Sequence, residues 1–155
     1  MPFINHSKKF IFIANARCAS TSMYLELERQ SKFDDYTWPA GEFQGISALP
    51  HLYHMSISDA LKTYPEYKDY FKFAFVRNPW SRFFSSYWEF QNHHGWSDEI
   101  KQFLNFKDFC LGFTNTSLVS DIHFLPLSEQ IGIGDKIGLD FIGRFETLHE
   151  DYNHL

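Results

Sequence analysis

Two cysteines in 155 residues, Cys18 and Cys110, are too few for a disulfide framework, and their separation suits no zinc-binding spacing. Both are expected as reduced thiols, and no bound metal is expected. Positive charge is also scarce: 14 Lys and Arg face 19 Asp and Glu, a formal net charge of −5. Such a balance argues against a general nucleic-acid or anionic-membrane binder, so any anion site must be local. No apolar run approaches the roughly 18 residues of a membrane helix, and the start lacks a charged segment followed by a long apolar one. The reading is a soluble, cytoplasmic protein with no membrane span. There is no internal repeat, low-complexity tract or long linker. A chain of this length with 44% hydrophobic residues can bury one sizeable core, so a single domain over 1–155 is expected. The nucleotide motif GxxxxGK[ST] is missing, and no carboxylate placed to hold magnesium follows a strand, which disfavours a kinase. Gly132, Gly134 and Gly138 follow no clear strand and lack the GxGxxG spacing. They read as a glycine-rich surface loop.

What the chain has in quantity is aromatic residues, 19% of the total and mostly Phe, which are read as core filling. The run Phe10-Ile-Phe-Ile-Ala14 alternates little and is bounded by polar residues, as in a strand covered on both faces of a parallel sheet. It stops in small and hydroxyl residues around Arg17. A helix over about 20–29 follows, with Met23, Leu27 and Tyr24 on one face. Backbone N–H groups at this turn, the positive end of the helix and the hydroxyls of Ser20, Thr21 and Ser22 would together suit a phosphate or sulfate.

The stretch Asp34 to Pro50, with Pro39, Gly41, Gly45 and Pro50, has no sustained period and reads as a long functional loop. Ser56 is an N-cap candidate for a short helix that Pro65 should end. A second apolar strand, Phe71 to Val76, runs into Arg77 and Asn78, where Pro79 suits the first turn of a new helix. Asn92 to Gly95 is read as a turn. Ser97, Asp98 and Glu99 make a helix start ahead of an apolar stripe of Ile100, Phe103 and Leu104. Thr114 to Gln130 has no clear pattern. Asp140 to Phe145 reads as another strand, and Glu146 to His154 as a polar helix. Strands separated by helices predict an α/β fold with a central, mostly parallel sheet flanked by helices, and ligands in such sheets sit at the carboxyl ends of the strands.

Three segments carry a resemblance. Arg17-Cys-Ala-Ser-Thr-Ser22 after a strand resembles the 5′-phosphosulfate loop of sulfotransferases that use 3′-phosphoadenosine 5′-phosphosulfate (PAPS). The run Phe73-Ala-Phe-Val-Arg-Asn-Pro-Trp-Ser-Arg-Phe-Phe-Ser-Ser-Tyr87 is similar to the 3′-phosphate motif of that superfamily, commonly written VRNPxxRxxSxY. Phe141-Ile-Gly-Arg-Phe-Glu146 resembles the GRFE segment found late in its carbohydrate and membrane-type branch. The resemblance implies a P-loop-like, three-layer α/β fold and transfer of a sulfuryl group from PAPS to a hydroxyl, or less readily an amine, of a carbohydrate or small-molecule acceptor. The product would be 3′-phosphoadenosine 5′-phosphate (PAP). A non-catalytic protein that keeps the nucleotide site, or recognises sulfated ligands, is the other reading. Relatives continue past GRFE with a helical region, so a compact or truncated version of the domain is expected here.

The resemblance also implies roles. Arg17 would neutralise charge on the leaving phosphate, and the loop from Arg17 through Cys18, Ala19, Ser20, Thr21 and Ser22 would hold the 5′ phosphosulfate. Arg77, with its fork of donors, and Ser85, eight residues on, would grip the 3′-phosphate, with Arg82 as an additional cofactor contact or a structural residue. Arg144 and Glu146 read as structural, pairing near the pocket. For the general base that takes the acceptor's proton, His54 leads, followed by His51, with Glu42 outside them. The other reading of His54 is a partly buried histidine satisfied by a backbone carbonyl. His93-His94 reads as a solvated turn. His123-Phe-Leu-Pro echoes a family segment, but Leu127 stands where relatives carry glutamine. The loop contains no glycine, so Ala19 and Ser20 are expected to accept a turn geometry that glycine accepts more easily.

Overall fold

The computed structural model describes residues 2–32, 35–37, 54–92 and 97–155. Strands run β1 (Phe3–Asn5), β2 (Phe10–Ile13), β3 (Tyr36–Thr37), β4 (Phe71–Val76), β5 (Gly132–Ile133), β6 (Lys136–Ile137) and β7 (Phe141–Arg144). Helices are α1 (Ser20–Arg29), α2 (Ile57–Thr63), α3 (Pro79–Asn92), α4 (Phe106–Gly112), α5 (Leu127–Ile131) and α6 (Leu148–Tyr152). The main sheet has the order β3-β1-β2-β4-β7. Its centre is parallel, with Phe12 opposite Phe73, Ile13 opposite Ala74, and Val76 opposite Arg144. The parallel centre matches the expected α/β arrangement. The antiparallel flank of β1 against β2 and β3 does not figure in it. Three-residue β1 is too short for a periodic signal. Its turn is held by Asn5, whose side-chain oxygen accepts the Lys8 N–H at 2.7 Å.

Alternation along the strands sorts the core by side-chain type. Phe3, Phe12, Phe73 and Phe75 point to one face and pack with Met23, Tyr24 and Leu27 of α1. Ile4, Ile11, Ile13 and Ala74 point to the other and pack with Ile57 and Ala60 of α2 and Ile131 of α5. Burial of each large apolar chain here stabilises the fold by about 1.5–3 kcal/mol. Gly143 of β7 is required by the aromatic face: a Cβ there would lie 2.3 Å from the Phe75 ring. A further group of Phe residues builds a third cluster under α3, where Tyr87 and Phe90 meet Ile100, Phe109, Leu118 and Phe124.

Several expectations are borne out. Ser56 accepts the Asp59 N–H at 3.1 Å and starts α2, and Pro79 opens α3. Others are corrected. The helix expected after Ser97 is a short 3-10 helix, Asp98–Gln102, and Leu104 is 93% exposed. Phe103 turns extended there because Asn105 caps the next helix, its oxygen accepting the Asp108 N–H. The glycine-rich surface loop is a small hairpin of β5 and β6, with Gly134 at φ 57 in its turn. Within the expected long loop, Tyr36–Thr37 is strand β3, and most of the rest lies outside the described residues. Among the described residues no helix is long and apolar enough to cross a membrane.

Candidate functional site

The loop between β2 and α1 turns back on itself through two backbone contacts, Asn15 N–H to Ile13 O and Cys18 N–H to Asn15 O. Left-handed backbone is needed twice, at Arg17 (φ 62) and Ala19 (φ 63), each costing roughly 1–2 kcal/mol for a residue with a Cβ. Ala19 was expected to take this conformation. Ser20 does not take it, because it already opens α1, and Arg17 takes the second strained position instead. Contacts from elsewhere hold the loop in place. Arg82 Nε donates to Ala16 O at 2.9 Å, Arg77 Nη1 to Arg17 O at 3.2 Å, and Asn15 Nδ2 to Phe75 O at 2.9 Å. Two successive loop carbonyls thus face arginines. Backbone of alternating handedness sends amides and carbonyls to opposite sides, which makes the amide side a concavity for an anion.

The start of α1 adds to this. Its N-cap, Ala19, offers no side-chain cap, and no acidic residue stands in the first turn. Thr21 and Ser22 are exposed there. An uncapped helix start with adjacent hydroxyls is an anion site in the making. Ser20 and Cys18 face inward, and the Cys18 N–H is already donated to Asn15 O. Burial pushes the Cys18 thiol up to about 11 despite the opposing influence of Arg82 and Arg77, so it stays protonated.

The second half of the site comes from the end of β4 and the start of α3. Asn78 caps α3 through its side-chain oxygen, which accepts the N–H groups of Trp80 and Ser81 at 3.0 and 3.2 Å. Glu146 accepts the Asn78 N–H at 2.8 Å, and Arg77 Cζ stands 4.2 Å from the centre of the Phe145 ring. The GRFE segment therefore braces the β4–α3 turn. Glu146 does this through a backbone amide, where pairing with Arg144 was expected. Arg77 Nε donates to Ser81 Oγ at 3.0 Å. Ser85, one turn further along α3, accepts from Arg17 Nε at 3.2 Å, and Arg17 Nη1 pairs with Glu89 Oε2 at 2.9 Å.

Arg17, Arg77 and Ser85, far apart in sequence, thus meet at the carboxyl ends of β2 and β4. Arg82 does not join them as an exposed cation. It is 5% exposed, and besides Ala16 O it donates to Leu125 O at 2.8 Å and Ile122 O at 3.2 Å. Of the two readings of Arg82, these contacts are those of a structural residue, a clamp that ties the loop to the segment before α5. Glu89 was not singled out from the sequence. The available signal was its position four residues after Ser85 and eight after Ser81, which places all three on one face of α3.

His54 is 6% exposed, and its Nδ1 lies 2.6 Å from Ala14 O. Its ring stands edge-on to His123 at 5.2 Å. Burial, with a smaller push from His123, lowers its pKa to about 3. Of the two readings of His54, this arrangement is that of a buried histidine satisfied by a backbone carbonyl. His123 in turn meets Asp121 through Nδ1 at 2.8 Å. His51, Glu42 and His93-His94 lie outside the described residues.

Beside Arg77 a cleft of about 680 Å³ opens between α3, α4 and the start of α5, with Trp80, Phe83, Phe106, Cys110 and Phe124 among its walls. Trp80 is 82% exposed. Among the described residues no group of three or more His, Cys, Asp or Glu side chains is arranged to hold a metal ion. Compared with known proteins, residues 2–155 match the family model described as Sulfotransferase family. No curated protein and no solved structure matches the chain.

Proposed function

The chain belongs to the sulfotransferase family, and from that membership we propose that it transfers a sulfuryl group from PAPS to a hydroxyl of a carbohydrate or small-molecule acceptor. The observation that carries this reading is the meeting of Arg17, Arg77 and Ser85 beside an uncapped helix start. One anion-holding turn would suit many phosphates. A second grip at a neighbouring strand end suits a nucleotide with phosphates at both 5′ and 3′ positions.

The residues present fit such a group. The amides of the loop and the first turn of α1, with Thr21 and Ser22, would hold the 5′ end in a P-loop-like manner. Arg77 would hold the 3′-phosphate with Ser85, whose hydroxyl accepts from Arg17 Nε at 3.2 Å. The aromatic-walled cleft next to Arg77 has room for the ring system that a 3′-phosphate on Arg77 would carry with it. When bound, PAPS supplies an activated sulfuryl group. The chain's part is positioning and charge stabilisation, with Arg17 set to neutralise the leaving phosphate.

Calorimetry with PAP tests the binding half. Micromolar affinity is expected, and Arg77→Ala should weaken it by about 10- to 100-fold, the loss of a charge-assisted contact worth roughly 1.5–3 kcal/mol. No binding at millimolar PAP would sink the reading. Transfer of labelled sulfate from PAPS across an acceptor panel tests catalysis. Binding without turnover would favour the alternative, a non-catalytic PAP- or PAPS-binding protein.

A further inference from the structure

With His54 sealed inside the protein, the site needs another group to take the acceptor's proton. We propose that Glu89 is that general base, an inference that rests on the sulfotransferase reading above. Three observations carry it. Glu89 Oε2 lies 2.9 Å from Arg17 Nη1, so a carboxylate stands against the guanidinium assigned to the leaving phosphate. Its side chain is 18% exposed, largely sheltered from bulk water. It also continues the Ser81 and Ser85 face of α3, one turn, about 6 Å, beyond Ser85.

The distances suit the chemistry. An acceptor oxygen poised for attack sits about 3–3.5 Å from sulfur, and its base about 3 Å further on. A base therefore belongs roughly 6 Å from the reacting sulfur. The leaving oxygen lies in line beyond sulfur, so it is roughly 8 Å from the base, about the longest span that one guanidinium bridges between a carboxylate on one edge and an oxygen on the other. Three other described groups have their partners away from Arg17. Glu146 accepts the Asn78 amide, Asp121 holds His123, and His54 is turned to Ala14 O.

The step balances as follows. The acceptor O–H attacks sulfur and an O–S bond forms. The bond between sulfur and the 5′-phosphate oxygen breaks, and its electron pair leaves with the phosphate beside Arg17. The proton passes to the Glu89 carboxylate and from there to solvent. Before the donor binds, the same carboxylate holds Arg17 in place.

The test compares wild type with Glu89→Gln, and with Glu89→Asp as the conservative variant. PAP binding by calorimetry comes first: the Gln variant should bind PAP within about threefold of wild type or more tightly, since Arg17 is released. Sulfuryl transfer is then measured to benzyl alcohol, phenol and 4-nitrophenol, acceptors of rising acidity. A lost base should cost at least about 100-fold with benzyl alcohol and less than tenfold with 4-nitrophenol, which is largely ionised without help. Glu89→Asp should recover part of the benzyl alcohol rate. A further readout needs no turnover: in the PAP complex, bound 4-nitrophenol should ionise at lower pH in the Gln variant, because a facing carboxylate no longer opposes the phenolate. Equal losses for all three acceptors, or an unchanged nitrophenol titration, would overturn the assignment and leave Glu89 a mere holder of Arg17. A wild-type protein that binds PAP but sulfates none of these acceptors would overturn it as well. Absence of PAP binding in wild type would instead strike at the sulfotransferase reading itself.

Discussion

His54 carries a cost that shows in the response of stability to pH. Its pKa of about 3 in the folded protein lies below the ordinary value of 6.5. Between those values the unfolded chain binds a proton that the native protein refuses, so stability rises with pH across that window and the contribution is level above it. Going from pH 7.5 to pH 5.0 should therefore cost about 2 kcal/mol through this residue alone. Urea denaturation at the two pH values checks this: the drop should be smaller by that amount in His54→Gln, which keeps a donor for Ala14 O. An identical drop in the variant would mean that His54 is not the buried neutral group. From the sequence, His54 could be read either as a base or as a satisfied histidine. What separates the two is how much protein lies over the ring, a quantity that no neighbouring residue in the chain specifies. Arg82 follows the same logic. Its three carbonyl partners, at 16, 122 and 125, come from two distant segments, so its inward turn left no local trace.

At the scale of elements, the strand–loop–helix unit of β2 and α1 was the most legible part of the chain. An unbroken apolar run and the 3.6-residue spacing of Met23, Tyr24 and Leu27 are local signals, and they survive in the fold because both faces of β2 are covered. The loop between them was half legible. The lack of glycine announced strain, but placing it correctly at Arg17 and Ala19 required the carbonyl contacts from Arg77 and Arg82. Ala19→Gly should remove the steric cost at φ 63 and raise stability by about 0.5–1 kcal/mol, after allowing for the greater freedom of glycine in the unfolded chain. A higher urea midpoint at unchanged slope would bear this out; a lower midpoint would mean that the contacts from α3 already relieve the strain. Elements of two or three residues, β1, β3, β5 and β6, were invisible or misread, since so short a stretch carries no period and forms only against a partner strand.

At the scale of the molecule, the site is a junction. Arg17 leans on Ser85 and Glu89, Arg77 holds the Arg17 carbonyl, and Glu146 braces the turn that presents Arg77. A ligand that engages both the loop and α3 should therefore stabilise the whole fold and not one segment of it. PAP at 100 times its dissociation constant should add about 2.7 kcal/mol, or about 5–10 °C in melting temperature for a domain of this size. Adenosine 5′-monophosphate at the same concentration, lacking the 3′-phosphate, should add far less. Equal shifts from the two nucleotides, read by thermal denaturation, would argue against Arg77 and Ser85 as a 3′-phosphate grip.

Taken by itself, the sequence determined the parallel strands, the helices that follow them and the three motifs, because hydrophobic period, capping residues and motif spacing are encoded within a few turns of chain. Only the tertiary structure decided which polar groups the rest of the fold already holds. It turned Arg82 and His54 inward, set Arg17 against Ser85, and brought in Glu89, which no motif had marked. The reason is physical: the partners that a donor or acceptor takes in the folded protein come from residues distant in sequence.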